Sequence, residues 1–129
     1  MMDPIFNKNG RTVGWLESEE RIIYDLNGNP LAFLDGDDVE EDGQENIINY
    51  QGKHKGLLDK GYFRDHSGAV VAFLEDAENM DSDGPLLPIP DIAPIPPIPA
   101  IPPVPPVPPV PPIPGISLIS WSNINWESF

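Results

Sequence analysis

The chain has 129 residues, of which 18 are proline, and it carries a net charge of −14. This acidity argues against nucleic acid or anionic lipid as a partner, because both need clustered Lys and Arg on the protein. The absence of cysteine excludes disulfides, thiolate nucleophiles and cysteine-ligated metal sites.

One short phrase occurs four times in the first 76 residues. Each copy consists of a polar residue, a glycine, three variable residues, a Gly or Ala, a large apolar residue, Leu and an acid. The copies align on four glycines: Gly10, Gly28, Gly52 and Gly68. Four copies of one supersecondary unit predict a fold that is built by rotation about an axis.

Each copy is typical of a β-hairpin. An Asn or Asp three residues before the glycine offers a side-chain acceptor at the start of the turn, and the glycine allows a positive φ. This is the chemistry of a type I turn with a glycine bulge, a common three-residue connection. Flanking segments such as Ile22–Tyr24 and Val70–Leu74 are strand-like, and no 11-residue window of the repeat region shows a helical period. We therefore predict an all-β fold of four hairpins about a pseudo-four-fold axis.

Two neighbouring apolar residues recur on the second strand of every hairpin. The first residue of each pair is Trp15, Phe33, Leu57 or Phe73, and the second is Leu. Neighbours on a strand point to opposite faces, so both faces of these strands need burial. One face can meet the equivalent strands around the axis, and the other needs cover from flanking strands, the tail or a second subunit. We assign structural roles to these residues and to the four repeat glycines.

Little in the repeat points to catalysis or metal binding. Asp25–Asn29 resembles the opening of a calcium loop, but Pro30 stands where that loop needs glycine. His54 and His66 lie in separate turns without the spacing of a zinc site. We expect a protein that is not an enzyme and has no cofactor or metal. The alternative is a small hydrolase or calcium-binding protein that uses the repeat carboxylates. Those carboxylates belong to Glu17, Asp35, Asp59 and Glu75.

An acidic insertion at residues 35–46 interrupts the regular repeat. It stretches the spacing between repeat glycines to 24 residues, against 18 and 16 elsewhere. A run of solvated charge is the ordinary interpretation of such a segment.

A proline-rich tail follows the repeat. From Ile89 to Ile113 an aliphatic β-branched residue stands at every third position, and nearly every residue between is proline. Proline fixes φ and restricts the preceding residue, which predicts polyproline II with three residues per turn. The aliphatic side chains then form one ridge along a segment of roughly 75 to 80 Å. We predict that this ridge contacts a protein surface through Ile95, Ile98, Ile101, Val104, Val107 and Val110.

Three aromatic residues end the chain: Trp121, Trp126 and Phe129. Exposed Trp is a typical interface anchor, so we include these residues in the predicted interaction surface. The alternative is that the segment folds back as a closing strand on the repeat domain. We expect residues Ile116 to Phe129 to pack on the domain or on a neighbouring subunit, while the central prolines stay extended and exposed.

The sequence resembles the four-fold beta flower family, small bacterial proteins with four β-hairpin petals about a pseudo-four-fold axis. The resemblance rests on Ile22–Leu34, on Arg64–Leu74, and on the Pro-rich tail. The tail ends in two further matching segments, Ile119–Ser122 and Trp126–Phe129. It implies the fold, and it brings no activity and no catalytic residue.

We divide the chain into a four-hairpin β repeat domain (residues 1–80), a polyproline II segment (81–115) and an aromatic C-terminal segment (116–129). The start of the chain lacks a secretory signal, and no apolar run could span a membrane, so we expect a cytoplasmic protein. The predicted function is a non-enzymatic binding or assembly module that meets a protein partner, or another copy of itself, through the tail.

Overall fold

Eight β-strands follow one another in the computed structural model, which describes residues 2–36, 44–75, 77, 94–103, 105–106 and 120–129. The strands are β1 (Met2–Phe6), β2 (Thr12–Glu17), β3 (Ile22–Tyr24), β4 (Pro30–Asp35), β5 (Gln44–Asn49), β6 (His54–Asp59), β7 (Tyr62–Arg64) and β8 (Val70–Leu74). A single 3₁₀ turn, Trp126–Ser128, is the one helical element of these ranges. The all-β prediction is confirmed.

The strands close into an antiparallel barrel in simple chain order. Hairpin 1 is β1–β2, hairpin 2 is β3–β4, hairpin 3 is β5–β6 and hairpin 4 is β7–β8. Closure places Ile5 opposite Leu74 and Phe6 opposite Phe73, which joins hairpin 4 to hairpin 1. The predicted ring of four hairpins is therefore confirmed, and closure leaves no unpaired sheet edge.

The four hairpin turns have the predicted chemistry. The repeat glycines have φ values of 79°, 86°, 84° and 91° in chain order, in the left-handed region that glycine reaches without strain. In the first turn, Asn7 Oδ1 accepts the N–H groups of Asn9 (2.9 Å) and Arg11 (3.1 Å). The same pair of hydrogen bonds recurs at Asp25, Asn49 and Asp65.

The inside of the barrel is filled by the same repeat positions from each hairpin. The leucines Leu16, Leu34, Leu58 and Leu74 form one set, and Ile5, Ile23, Ile47 and Phe63 form a second. The third position is glycine in hairpins 1 and 3 (Gly14 and Gly56) and alanine in hairpins 2 and 4 (Ala32 and Ala72). A Cβ on Gly14 would lie 2.6 Å from the carbonyl oxygen of Tyr24, and one on Gly56 only 2.0 Å from that of Arg64. These glycines are therefore required by the close approach of the next strand.

The outward residue of each apolar pair is also covered, in part. Trp15 and Phe73 are buried, whereas Phe33 and Leu57 are half-buried. Phe73 contacts both Phe6 and Trp121, with ring centroids 5.5 and 6.1 Å apart. The outer face is thus covered within one chain by neighbouring strands and the C-terminal residues, completely at Trp15 and Phe73 and partly at Phe33 and Leu57.

Candidate functional site: the proline arm and the C-terminal segment

The part of the tail at residues 94–103 and 105–106, here called the proline arm, lies against two hairpin turns. The N–H of Ala100 donates to the carbonyl oxygen of Gly28 at 2.9 Å. A Cβ on Gly28 would lie 2.8 Å from the carbonyl oxygen of Ile98 and 3.4 Å from Pro97. Further along the arm, a Cβ on Gly52 would lie 3.7 Å from Pro106. The arm therefore passes from the turn of hairpin 2 to that of hairpin 3.

Ala100 occupies a special place in the proline pattern. Between Ile95 and Pro112 two residues separate successive aliphatic residues, and Ala100 is the only one of these that is not proline. Proline has no N–H, so Ala100 supplies a donor that a regular Pro-Pro repeat would lack. The interruption is visible in the sequence, although its role as an anchor is shown only by the contact with Gly28.

The aliphatic ridge of the arm faces solvent. Ile95, Ile98 and Ile101 are 92%, 94% and 94% exposed. Pro97, Pro102 and Pro106, by contrast, are half-buried. Val104, Val107 and Val110 lie outside the described residues, and polyproline II geometry stays a prediction. Three large aliphatic side chains are therefore exposed side by side along the described part of the arm.

Residues 120–129, here called the C-terminal segment, pack on the barrel. Val70 donates its N–H to Ser120 (3.0 Å) and accepts the N–H of Ser122 (2.7 Å), which makes a parallel bridge at Trp121. The Ser122 hydroxyl donates to Asp65 Oδ2 and accepts the N–H of Ile124 at 3.0 Å. The segment is thus joined to hairpin 4 by both backbone and side-chain bonds.

Two rings of this segment pack against the inner core of the barrel. The Trp126 ring meets Phe63 edge-on at 5.5 Å and lies 5.9 Å from the Phe129 ring. A Cβ on Gly14 would lie 3.5 Å from Trp126, and one on Gly56 would lie 3.0 Å from Phe129. The small residues of hairpins 1 and 3 therefore leave room for these rings.

The structure thus separates two groups of predicted interaction residues. Trp121, Trp126 and Phe129 are half-buried on their own barrel, and the segment folds back with a single isolated bridge at Trp121 in place of the closing strand that was the alternative. Ile95, Ile98 and Ile101 turn away from the barrel and keep their apolar surface available.

Asp65 links the C-terminal segment to a hairpin turn. Burial alone would raise the pKa of Asp65, but hydrogen bonds from the Ser122 and Ser67 hydroxyls and from the N–H groups of Ala69 and Ser67 outweigh it. The pKa of this carboxyl is therefore lowered. The ionised form is the one that the fold stabilises.

Two histidines that the sequence separates lie side by side. His54 Nε2 donates to Asn46 Oδ1 at 2.8 Å, so His54 Nδ1 accepts from His66 Nε2 at 3.0 Å. Burial, and then the charge of His66, lower the pKa of His54. Sequence reasoning missed this pair. The strand register, in which Leu57 pairs with Arg64, brings residues near 54 and 66 together and could have indicated it.

The described part of the chain contains no group of three or more His, Asp or Glu residues arranged to hold a metal ion. One repeat carboxylate, Asp59, lies 3.5 Å from Arg64 Nε, and both side chains are buried. This contact gives Asp59 a structural partner on the neighbouring strand, since β6 pairs with β7.

Comparison with known proteins identifies the family. The sequence model of the family described as 4-fold beta flower protein matches residues 3–129. The chain belongs to the 4-fold beta flower family. No curated protein and no solved structure matches it. Within the described ranges of this beta flower chain, no helix is long and apolar enough to cross a membrane. Family membership assigns the fold and leaves the function to be argued from the surface.

Proposed function

We propose that this protein is a non-enzymatic binding or assembly module that presents the ridge of its proline arm to a protein partner. The observation that carries the proposal is the nearly complete exposure of Ile95, Ile98 and Ile101 on a segment whose other side contacts the barrel. Aliphatic side chains gain free energy when a partner removes them from water, at about 25 cal/mol per Å². Contact with the hairpin turns holds the ridge outward.

The chemistry of the arm limits the kind of partner. Residues 94–119 contain no charged side chain, so recognition depends on apolar contact and on shape. SH3-type domains are poorly suited, because their acidic specificity pocket usually needs a Lys or Arg beside the prolines. A groove lined by aromatic or aliphatic side chains fits the ridge, and the bond from Ala100 to Gly28 reduces the entropy lost on binding.

A different protein suits this role better than a second copy of the chain. Two copies would each carry a net charge of −14, and this repulsion opposes association. We therefore take a neutral or basic partner as the expected one, with self-association as the competing outcome of the test.

The test uses substitution, because deletion of residues 85–129 would also remove Trp126 and Phe129 from the barrel core. We expect the triple variant Ile95→Ser, Ile98→Ser and Ile101→Ser to keep its fold by circular dichroism. Proteins cross-linked to the wild type in cells should be lost with this variant, and direct binding should then be measured by calorimetry with the purified partner.

A matched control removes exposed apolar surface elsewhere. Leu31→Ser and Ile124→Ser change side chains that are 40% and 41% exposed away from the ridge. This double variant should keep the partner. An unchanged set of cross-linked proteins in the ridge variant would refute the proposal, and loss of a wild-type dimer in sedimentation would assign the ridge to self-association instead.

A further inference from the structure

A cavity of about 390 Å³ opens between hairpins 2 and 3 and the C-terminal segment. Its apolar walls include Ile23, Ala32, Ile47, Trp126 and Phe129. Small-molecule sites are mostly apolar clefts of about 300 to 1,000 Å³ with a few polar groups, so both the size and the lining suit a small ligand.

The C-terminal segment covers the barrel mouth at hairpins 4, 1 and 3, and the cavity opens on the remaining side, beside hairpin 2. Val70 pairs with Trp121, Trp126 lies over Gly14, and Phe129 lies against Gly56. In hairpin 2 the position equivalent to Val70, two residues after the turn glycine, is Pro30. Proline has no N–H, so a second strand cannot dock on hairpin 2 in the way that Trp121 docks on hairpin 4. The uncovered side therefore suits a small molecule better than a peptide strand.

The polar residues that line this cavity are Asn27, Asn49, Gln51, two acids and one cation, Lys55. The third residue after each turn glycine is Val13, Leu31, Lys55 and Val71 in the four hairpins. Lys55 lines the cavity, is half-buried, and makes no ion pair with any residue that the structure describes. An ammonium group beside apolar walls attracts a carboxylate strongly, because the surrounding water that would screen the pair is reduced.

The acids at the cavity are less suited to bind a ligand. Asp25 Oδ1 accepts the N–H groups of Asn27 (2.8 Å) and Asn29 (2.9 Å), and its Oδ2 accepts from Asn29 Nδ2 at 3.2 Å. Its carboxylate is therefore occupied by its own turn. Glu127, the other acid, is exposed.

We propose that this cavity binds a small apolar monocarboxylate, with the ligand carboxylate paired to Lys55 and its hydrocarbon body against Trp126 and Phe129. The inference goes beyond the proposed partner binding and does not depend on it, since none of Ile95, Ile98 and Ile101 lines the cavity.

The test compares three probes of equal length: octanoate, 1-octanol and octylammonium, titrated into the full-length protein by calorimetry. We expect octanoate to bind most tightly, about ten-fold more tightly than 1-octanol, because it alone can pair with Lys55. The net charge of −14 favours octylammonium, so a preference for octanoate cannot come from the overall field of the protein.

Two variants separate the site from the surface. Lys55→Met should lose about ten-fold in octanoate affinity and keep its affinity for 1-octanol. Lys53→Met is the matched control, because Lys53 is exposed two residues earlier and does not line the cavity. Tightest binding by 1-octanol or octylammonium, equal octanoate affinity in the two variants, or no saturable octanoate binding by the wild type would overturn the proposal.

A readout on the wild type keeps the test decisive if Lys55→Met does not fold. Octanoate should shift the NMR signals of the Ile23 and Ile47 methyl groups and of the Trp126 indole. Val71 occupies in hairpin 4 the position that Lys55 occupies in hairpin 3, and it lies outside the cavity. Its methyl signals should not shift. Shifts confined to residues elsewhere would contradict the assignment.

Discussion

At the residue scale, Asp65 has two roles: it caps its own hairpin turn, and it binds the C-terminal segment. Its Oδ1 accepts the N–H groups of Ser67 and Ala69, as the equivalent residues do in the other three turns. Its Oδ2 accepts from Ser122, and this bond joins the C-terminal segment to hairpin 4. A side chain that serves the local turn thus also fixes a residue 57 positions away.

The first prediction concerns this bond. Ser122→Ala removes the hydroxyl and leaves the Asp65 carboxylate buried with one donor fewer. We expect the free energy of unfolding to fall by about 1.5 to 3 kcal/mol, the range for hydrogen bonds to charged groups. Urea denaturation at pH 7 measures the change. Ser128→Ala, at an exposed serine of the same segment, should change stability by less than about 0.5 kcal/mol. Equal effects of the two substitutions would show that the bond contributes nothing.

The same bond gives a pH dependence of defined sign. The pKa of Asp65 is lowered in the fold, so its contribution to stability is complete above the unfolded value of about 3.9. That contribution is lost as the pH falls below this value through the folded pKa. In Ser122→Ala the pKa moves back toward its usual range, so the difference in unfolding free energy between wild type and variant should shrink below about pH 4. A difference that stays constant down to pH 2 would contradict this linkage.

The histidine pair gives a second prediction. The pKa of His54 lies below its ordinary value of 6.5, first because of burial and then because of His66. Since the folded state holds this proton less well than the unfolded chain, the stability from neutral His54 is present above about pH 6.5 and is lost as the pH falls through the folded pKa. His66→Ala removes one of the two causes. We therefore expect the pKa of His54, measured by NMR titration, to rise but to stay below 6.5. A wild-type value at or above 6.5 would be inconsistent with a half-buried His54 stacked on His66.

At the scale of elements, the hairpins could be predicted because their chemistry is local. An Asn or Asp, a glycine three residues later and flanking β-branched residues determine each turn without reference to the rest of the chain. The link from Asp65 to Ser122 could not be predicted in this way, because it depends on where a segment beyond the prolines docks. The outward direction of Ile98 and Ile101 could not be predicted either. A period of three predicts an aliphatic ridge, but it does not predict which side of the arm contacts the barrel.

The third prediction tests the anchor of the proline arm. Ala100→Pro restores the regular Pro-Pro pattern and removes the N–H that binds Gly28. We expect the NMR signals of Gly28 and Leu26 to shift toward those of a chain without the arm contact, while the barrel keeps its stability to within about 1 kcal/mol. Hydrogen exchange at residue 100 in the wild type should be slowed relative to Ile101.

Ala100→Gly is the control for this substitution, because it retains the donor. Its Gly28 signals should stay close to those of the wild type. Matching spectra of wild type and Ala100→Pro would show that the arm does not need this bond to lie on hairpin 2. Partner affinity through Ile95, Ile98 and Ile101 should fall in Ala100→Pro, because more entropy is then lost on binding.

At the scale of the whole molecule, the C-terminal segment breaks a symmetry that the repeat alone would give. It lies against hairpins 4, 1 and 3, whereas hairpin 2 carries the proline arm on its turn and the cavity beside its strands. One side of the barrel therefore serves stability, and the other holds both proposed interaction surfaces. The repeat could not predict this division, because all four hairpins share the positions that decide the fold.

The last prediction follows from the charge of the whole chain. All seven basic residues lie at or before Arg64, and eight acids follow without a compensating cation. Self-repulsion among like charges destabilises a compact state, and salt reduces it, with a Debye length of about 30 Å at 0.01 M and 10 Å at 0.1 M. Salt also weakens the pair between Arg21 and Glu45, but a single partly exposed pair contributes only about 0 to 1 kcal/mol. We therefore expect the urea midpoint to rise between 10 and 150 mM NaCl, with an unchanged m-value.

Substitution of exposed acids separates this effect from general salt effects. Glu19→Gln and Glu20→Gln remove two charges from an exposed turn without touching the core. The double variant should be more stable than the wild type at 10 mM NaCl and should gain less from added salt, because less repulsion is left to screen. Sodium chloride is used in place of sulfate, which strengthens apolar burial by itself. A urea midpoint that falls as salt is added would mean that attractive pairs such as Arg21 with Glu45, and not net repulsion, dominate the electrostatics of this barrel.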